Sequence, residues 1–321
     1  MSHMTNPLAT PDQLYQRRSF SALPTDLQDA IFFSTQCLTQ AAGVLLQLPQ
    51  AVAAQANVVL ARYWLVEPFM SHEFSAVSAA SLYLVAKLGP TPRSPRDVSN
   101  VYAYLLSASS SFFRSSSTTP PPANNPSSYY LSDGAYQRSH SRILELEARI
   151  LYALGFNTHV SLPHPLAITY LQALDFLGTR KERIAGRALE YLNTALLSPQ
   201  MLYLTSQPNA LAVAAIYNAA KDVGAKMPEC EWWEVFDVDR EELGFLVVGM
   251  RSVEGWARKM REDIPRMAEC MLTRRIVENE MERRGLHTGN GHGVSSAYTL
   301  DPEAELARKM DEKIAQIEEN D

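Results

Sequence analysis

The sequence lacks any apolar run of 18 or more residues, so no segment of it is expected to span a membrane. No apolar signal-peptide core follows the opening Met1-Ser2-His3-Met4, which reads like a cloning remnant, and the expected compartment is intracellular. Cysteine is scarce and odd in number: Cys37, Cys230 and Cys270 lie far apart, which argues against a disulfide framework and a structural zinc site. Positive charge is not in excess either. The formal net charge is -6, the wrong sign for a surface that grips phosphates, so direct binding of nucleic acid is not expected. Runs of alternating polar and apolar residues are also missing, which removes the usual mark of a half-buried strand.

What the chain has is helical spacing. Its 321 residues are 46% hydrophobic, enough for one large or two medium domains. Phe74, Val77, Ser81, Leu84 and Leu88 recur every three or four residues, as do Ile143, Leu146, Ile150 and Leu154. The spacing predicts helices near 27–47, 49–65, 73–88, 95–107 and 136–154, then 164–176, 181–197, 208–223 and 239–260. Pro49, Pro95 and Pro163 fall where a helix should begin, a place that does not need their missing amide hydrogen. Trp232, Trp233 and Phe236 suggest one further short docked helix. The expected class is all-α.

Three stretches stand outside this order. Residues 1–26 form an N-terminal extension. Residues 107–128 hold the runs Ser115-Ser116-Ser117 and Pro120-Pro121-Pro122, a composition that cannot bury enough surface to offset its ordering entropy, and are expected to be a disordered insertion. Residues 262–321 read as a charged helical tail, mostly solvated, with a glycine-rich linker at 288–296 and a helix at 302–319.

The helical region contains a repeat. Ala76 to Lys87 resembles Ala210 to Lys221, with identities at Ala76/Ala210, Ala80/Ala214, Tyr83/Tyr217, Ala86/Ala220 and Lys87/Lys221. Alanine at this density lets neighbouring helices approach closely from all sides. Each copy is therefore expected to be the central helix of its own bundle, and two copies imply two similar bundles in tandem.

That arrangement, with several local motifs, resembles the cyclin family. Arg62-Tyr63-Trp64 is similar to the aromatic end of the second cyclin helix, and Ala79 to Leu88 to the third, closing on Ala86-Lys87. Arg96-Asp97-Val98 follows as in cyclin L, and Glu145-Leu146-Glu147 with Leu151-Tyr152-Ala153-Leu154-Gly155-Phe156 resembles the fifth helix and its exit. In the second half, His159-Val160, Pro163-His164, Tyr170 to Leu174, Tyr191-Leu192-Asn193, Gln207-Pro208 and Ile216-Tyr217 are similar to cyclin L in particular. The resemblance covers roughly 30–260 and implies a first cyclin fold at 27–157 and a second at 158–261.

It further implies a non-catalytic regulatory subunit that binds and activates a cyclin-dependent protein kinase of the transcription or RNA-processing class, as a heterodimer in the nucleus. No cofactor, membrane or small-molecule substrate is implied. Lys87 and Glu147 match the family's kinase-contacting pair; the bland alternative is a private salt bridge bracing the third and fifth helices. Lys221, the second-repeat counterpart of Lys87, is expected to be structural. There are departures. Leu88-Gly89-Pro90 stands where many cyclins carry two acidic residues, the substrate-recruiting Met-Arg-x-Ile-Leu element is missing from the first helix, and no arginine-serine tail is present. The rival readings are a cyclin-fold adaptor without kinase activation and a general transcription factor like the core of transcription factor IIB, which would carry a zinc ribbon and a basic surface.

Other tempting signals are weaker. His159 and His164 are five apart, wrong for one helix face, and flank Pro163 at a helix start. Asp237, Asp239, Glu241 and Glu242 open a helix, where carboxylates favour the positive dipole end. Trp232 and Trp233 read as core anchors, and Gly289-Asn290-Gly291-His292-Gly293 follows no strand and so reads as linker. No nucleophile elbow is present, and no enzyme is expected.

Overall fold

The computed structural model describes residues 4–19, 21–107, 110, 130–177, 182–264 and 271–286. Among them the regular structure is helical throughout: α1 (Pro11–Ser19), α2 (Thr25–Leu45), α3 (Gln50–Val66), α4 (Phe74–Leu88), α5 (Pro95–Leu106) and α6 (Asp133–Ala153). Then come α7 (Pro163–Ala173), α8 (Glu182–Leu196), α9 (Leu202–Thr205), α10 (Pro208–Val223), α11 (Arg240–Asp263) and α12 (Arg274–Arg283). The insertion expected at 107–128 falls almost wholly outside the described residues, as do the linker at 288–296 and the helix at 302–319.

Helix starts follow local chemistry. Pro95 and Pro163 occupy the first helical turn and Pro49 the cap position just before it. The Ser94 hydroxyl accepts from the Asp97 N–H, and the Ser132 hydroxyl from the Ala135 N–H, each satisfying one amide that the helix leaves bare. Asp239 stands at the cap position of α11, without a side-chain capping bond, and Glu241 and Glu242 lie in its first turn, so this acid cluster sits at a helix start as expected.

The first bundle is built round α4, which packs against α2, α3, α5 and α6. Val77, Ala79, Ala80, Leu82 and Leu84, on successive faces, are all buried, so α4 is enclosed rather than one-sided. Ser78, one of its buried hydroxyls, joins a network that crosses to the neighbouring helices. The Ser78 hydroxyl lies 2.7 Å from both Thr39 Oγ1 and Tyr102 Oη, and Thr39 in turn donates to the Thr35 carbonyl. Between α2 and α3 the approach is tighter still: a Cβ on Gly43 would stand 2.9 Å from the Cβ of Ala53.

The second bundle repeats the plan around α10, which packs against α7, α8, α9 and α11. This is the cyclin-box fold in tandem. Trp232 is buried, while Glu234–Phe236 forms a short 3-10 turn with Phe236 stacked on Tyr170 at 4.1 Å.

Contacts divide the chain into residues 1–277 and 278–321. Most of the tail that begins at 262 lies outside the described residues, but within the larger unit it is anchored at a few points. Ile264, Met271, Leu272 and Val277 are buried, and the Ser34 hydroxyl donates to Met271 Sδ at 3.1 Å. The reason is simple: these few apolar side chains, scattered among charges, outweigh the overall polarity of the segment. Of the smaller unit the end of α12 is described; there Glu280 accepts from Arg283 and Arg284, and these bonds, Arg283's foremost, pull its carboxyl down to about 2.

Candidate functional site: the outer face of α6

Lys87 lies in the last turn of α4, where a cation suits the negative end of the helix. Gly89 then ends α4, its N–H donating to the carbonyls of Val85 and Ala86, and Pro90 prevents continuation. The Leu88-Gly89-Pro90 departure therefore acts as a helix stop placed just beyond Lys87.

From α6, Glu147 reaches the Lys87 ammonium: Nζ donates to Oε1 at 2.6 Å. The two partners sit in unlike surroundings, with 8% of the Glu147 side chain exposed against 49% of that of Lys87. Glu147 shares the buried face of α6 with Ile143, Leu146 and Ile150. The ammonium also stands over the ring of Tyr83, one turn earlier, with Nζ 5.6 Å from the ring centre. The hydrogen bond it donates to Glu147 raises the Lys87 pKa above its ordinary value. The ammonium uses one of its three N–H groups on Glu147, leaving donors for another molecule.

Beside this pair α6 carries a second apolar face. Leu144, Ala148 and Tyr152 follow at intervals of four and are exposed, with Leu151 half-buried next to them. Tyr152 is 75% exposed and Phe156 62%, and their rings meet edge to face at 5.4 Å. Phe156 is held there by an unusual backbone. Gly155 and Phe156 both adopt the left-handed conformation, at φ 55° and 61°, while the Phe156 N–H closes the helix on the Leu151 carbonyl at 2.8 Å. A bulky residue rarely tolerates that conformation. Phe156 thus combines a strained backbone with a solvent-exposed ring. The sequence motif contained Tyr152 and Phe156 but did not mark them as a surface; the available signal was that α6 has more apolar residues than one buried face can use.

Basic and acidic groups border this strip. Arg149 pairs with Glu145 at 3.3 Å, and Arg138 and Arg142 stand exposed on the same helix. His72, at the entry to α4, senses Arg149, Arg142, Glu67 and Glu145, but burial is the foremost cause of its lowered pKa.

The second repeat does not reproduce the pair. Lys221 is exposed, and its neighbour Asp222 joins α10 to α11 instead, accepting from Arg251 of α11 and from Arg187 and Tyr191 of α8. The bridge is structural, with its charges reversed relative to Lys87–Glu147. The two histidines lie apart in role: the backbone carbonyl of His159 accepts from Arg62 at 2.8 Å, and His164 Nε2 lies 3.0 Å from Asn193 Oδ1. Among the described residues no group of three or more His, Cys, Asp or Glu is placed to hold a metal ion, and no helix is long and apolar enough to cross a membrane.

Comparison with known proteins places this architecture. No family model matches the chain. Cyclin-L2 of Mus musculus is 28% identical over 307 residues, 94% of this chain and 55% of that protein. Cyclin-L2 of Rattus norvegicus is 31% identical over 264 residues, 81% of this chain and 47% of that protein. Cyclin-L1 of Danio rerio is 26% identical over 278 residues, 86% of this chain and 52% of its own. The chain is a cyclin-L-like cyclin.

The cyclin-L-like chain spans about half the length of these relatives. Two solved structures share its fold. A chain of the yeast RNA Pol II CTD kinase CTDK-1 complex superposes with a TM-score of 0.61 at 14% identity, covering 88% of this chain and 84% of that one. A chain of the CAK complex from Chaetomium thermophilum bound to ATP-gamma-S gives 0.55, also at 14% identity, with 88% and 92% covered. At that identity the likeness speaks for the fold alone.

Proposed function

We propose that this chain is the non-catalytic regulatory subunit of a cyclin-dependent protein kinase of the transcription or pre-mRNA-processing class, binding the kinase through the outer face of α6 and activating it in the nucleus. The first cyclin fold, at 27–157, supplies that face, and the second, at 158–261, supports it. One observation carries the reading: an apolar strip, Leu144, Ala148, Leu151, Tyr152 and Phe156, is left uncovered beside a half-exposed ammonium on a buried carboxylate. Fully burying a side chain such as those of Phe156 or Leu144 is worth about 1.5–3 kcal/mol. Solvent exposure wastes that; a partner would recover it. The cyclin-L relatives and the fold shared with chains of a CTD-kinase complex and a CAK complex support a kinase as that partner.

Activation follows from differential affinity. A protein kinase needs a lysine–glutamate ion pair across its nucleotide site, and a mobile helix must move inward to form it. A rigid face that fits the inward position and not the outward one shifts the population towards the active state without taking part in chemistry. Lys87 and Glu147 edge this face: the spare N–H groups of the ammonium meet carbonyl groups of the kinase, and Glu147 fixes the ammonium in place.

Affinity capture from lysate of the source organism tests this. A cyclin-dependent kinase should co-purify with the wild-type chain and be lost with Leu144→Asp/Tyr152→Asp. Recovery of promoter-bound polymerase machinery without a kinase would instead favour the general transcription factor, and recovery of neither the adaptor.

A further inference from the structure

Two side-chain amides tie the amino-terminal segment to the second bundle, and each engages both the N–H and the C=O of one residue. Gln207 Oε1 accepts from the Asn6 N–H at 3.0 Å, and Gln207 Nε2 donates to the Asn6 carbonyl at 3.1 Å. Asn6 repeats the device on the connector between the bundles: its Nδ2 donates to the Ser161 carbonyl and its Oδ1 accepts from the Ser161 N–H, both at 2.8 Å. Three residues on, the Ala9 N–H donates to the Leu204 carbonyl at 2.7 Å. Asn6, in a segment without regular structure, is only 6% exposed.

The other end of the segment rests on the first bundle. Helix α1 packs against α3, and the Arg17 guanidinium lies over Phe32 and Phe69, 5.7 and 4.9 Å from their ring centres. Gln28 of α2 donates to the Arg18 carbonyl. Helix α3 meanwhile holds the connector from its own side, with Gln55 donating to the Thr158 carbonyl at 3.1 Å and Arg62 to that of His159.

We infer that residues 4–19 are a strap whose leading end fills a peptide-binding groove on the second bundle, and that the Asn6–Gln207 relay locks the joint between the two cyclin folds. The groove is built from Ser161 of the connector and from Leu204 and Gln207 at the junction of α9 and α10. Its ligand is an extended peptide bearing a carboxamide, supplied here by the chain itself. A carboxamide presents a donor and an acceptor side by side, which matches the N–H and C=O of one extended residue. A carboxylate at position 6 would still accept from the Ser161 N–H but would set its second oxygen, an acceptor, against the Ser161 carbonyl. The connector has no helix to satisfy its peptide groups, so releasing the strap leaves Ser161 to find water instead. This explains Gln207, which stands at the cap position of α10 yet makes no capping bond with its side chain.

Hydrogen exchange on the full chain tests the inference. The amides of Asn6, Ala9 and Ser161 should be protected in the wild type. Gln207→Met keeps the side-chain length, removes both bonds to Asn6, and leaves the start of α10 intact. It should speed exchange at all three amides by about tenfold or more, the equivalent of one net hydrogen bond, without changing exchange in α4. Asn6→Asp should do the same at Ser161. Because the two amides form one device, Gln207→Met/Asn6→Ala should exchange no faster than the worse single variant. Unchanged Ser161 protection in Gln207→Met would overturn the relay. Loosening that spreads to α4 would also overturn it, by showing a general loss of stability rather than release of a strap.

Discussion

Replacing Lys87 by methionine and Glu147 by glutamine should affect the free chain and its complex in opposite order. Methionine keeps an apolar stem but strands a carboxylate that is 8% exposed. Removing one partner of a fully buried pair costs about 3–5 kcal/mol, whereas an exposed pair contributes about 0–1 kcal/mol. With the ammonium half in water, the expected loss for Lys87→Met lies between these limits, at about 1–2 kcal/mol. Glutamine at 147 still accepts a hydrogen bond, and the half-exposed ammonium is hydrated without its counter-ion, so that loss should be under about 1 kcal/mol. At the proposed kinase interface the ammonium would be desolvated and would depend on Glu147 for its charge balance. Truncating such a group at an interface costs about 2–5 kcal/mol, a loss of more than tenfold in affinity, since about 1.4 kcal/mol is one decade. Thermal unfolding of the free variants and calorimetric titration with the kinase separate the two effects. Glu147→Gln should unfold near the wild-type temperature and bind at least tenfold more weakly. A Glu147→Gln chain that loses stability but binds as tightly as wild type would show the pair to be a private brace of α4 and α6. Because Lys87 is raised by its bond to Glu147, the pair's contribution is complete below the ordinary lysine value of 10.5 and fades only as pH climbs through the higher folded value. Both experiments are therefore insensitive to pH near neutrality.

Further outcomes can be stated briefly. Gly43→Ala should lower stability by about 1–2 kcal/mol in thermal unfolding: a gain of about 1 kcal/mol in helix propensity is outweighed by the 2.9 Å contact with Ala53 Cβ, which cannot swing aside. Ala53→Gly in the same chain should recover part of the loss, and a rise in melting temperature for Gly43→Ala alone would refute the close crossing of α2 and α3. Burial lowers the His164 pKa below its ordinary 6.5, so the unfolded chain takes up the proton first and stability falls as pH drops through that value. Unfolding measured between pH 7 and 5 should show a shallower slope for His164→Gln than for wild type.

Much of this fold is legible in the sequence, for a physical reason. Helices α4 and α10 are enclosed on every side, so their alanine density survives as a repeat, and the amphipathic helices around them keep a clear apolar stripe. Their observed ends lie within three residues of the expected ones. Helix α1 was not foreseen because it buries none of its own residues; it is held by a guanidinium over two rings and by Gln28 donating to the Arg18 carbonyl, while the segment before it makes hydrogen bonds to residues far along the chain. Asn6 meets Gln207 across 201 residues, beyond the reach of any local pattern. Helix α9, with four residues, is too short to show a period. At the candidate site, the Lys87–Glu147 contact itself could be anticipated from the family motif, while the exposed ring of Phe156 could not, because it depends on two successive left-handed residues. Lys221 shows the opposite limit: sequence identity with Lys87 carried over, but the bridge did not, and Asp222 took it with reversed sign.

The central claim is that the outer face of α6 holds a kinase in its active state, and a phosphorylation assay with the captured kinase tests it most directly. Activity is measured with the kinase alone, with wild-type chain, and with Leu144→Asp/Tyr152→Asp chain whose melting temperature matches wild type. All three substituted or neighbouring positions, Leu144, Ala148 and Tyr152, already face water in the free chain, so folding should be spared. The account predicts strong stimulation by wild type and at least a tenfold weaker response to the variant at equal concentration. Equal stimulation by the two chains would contradict it.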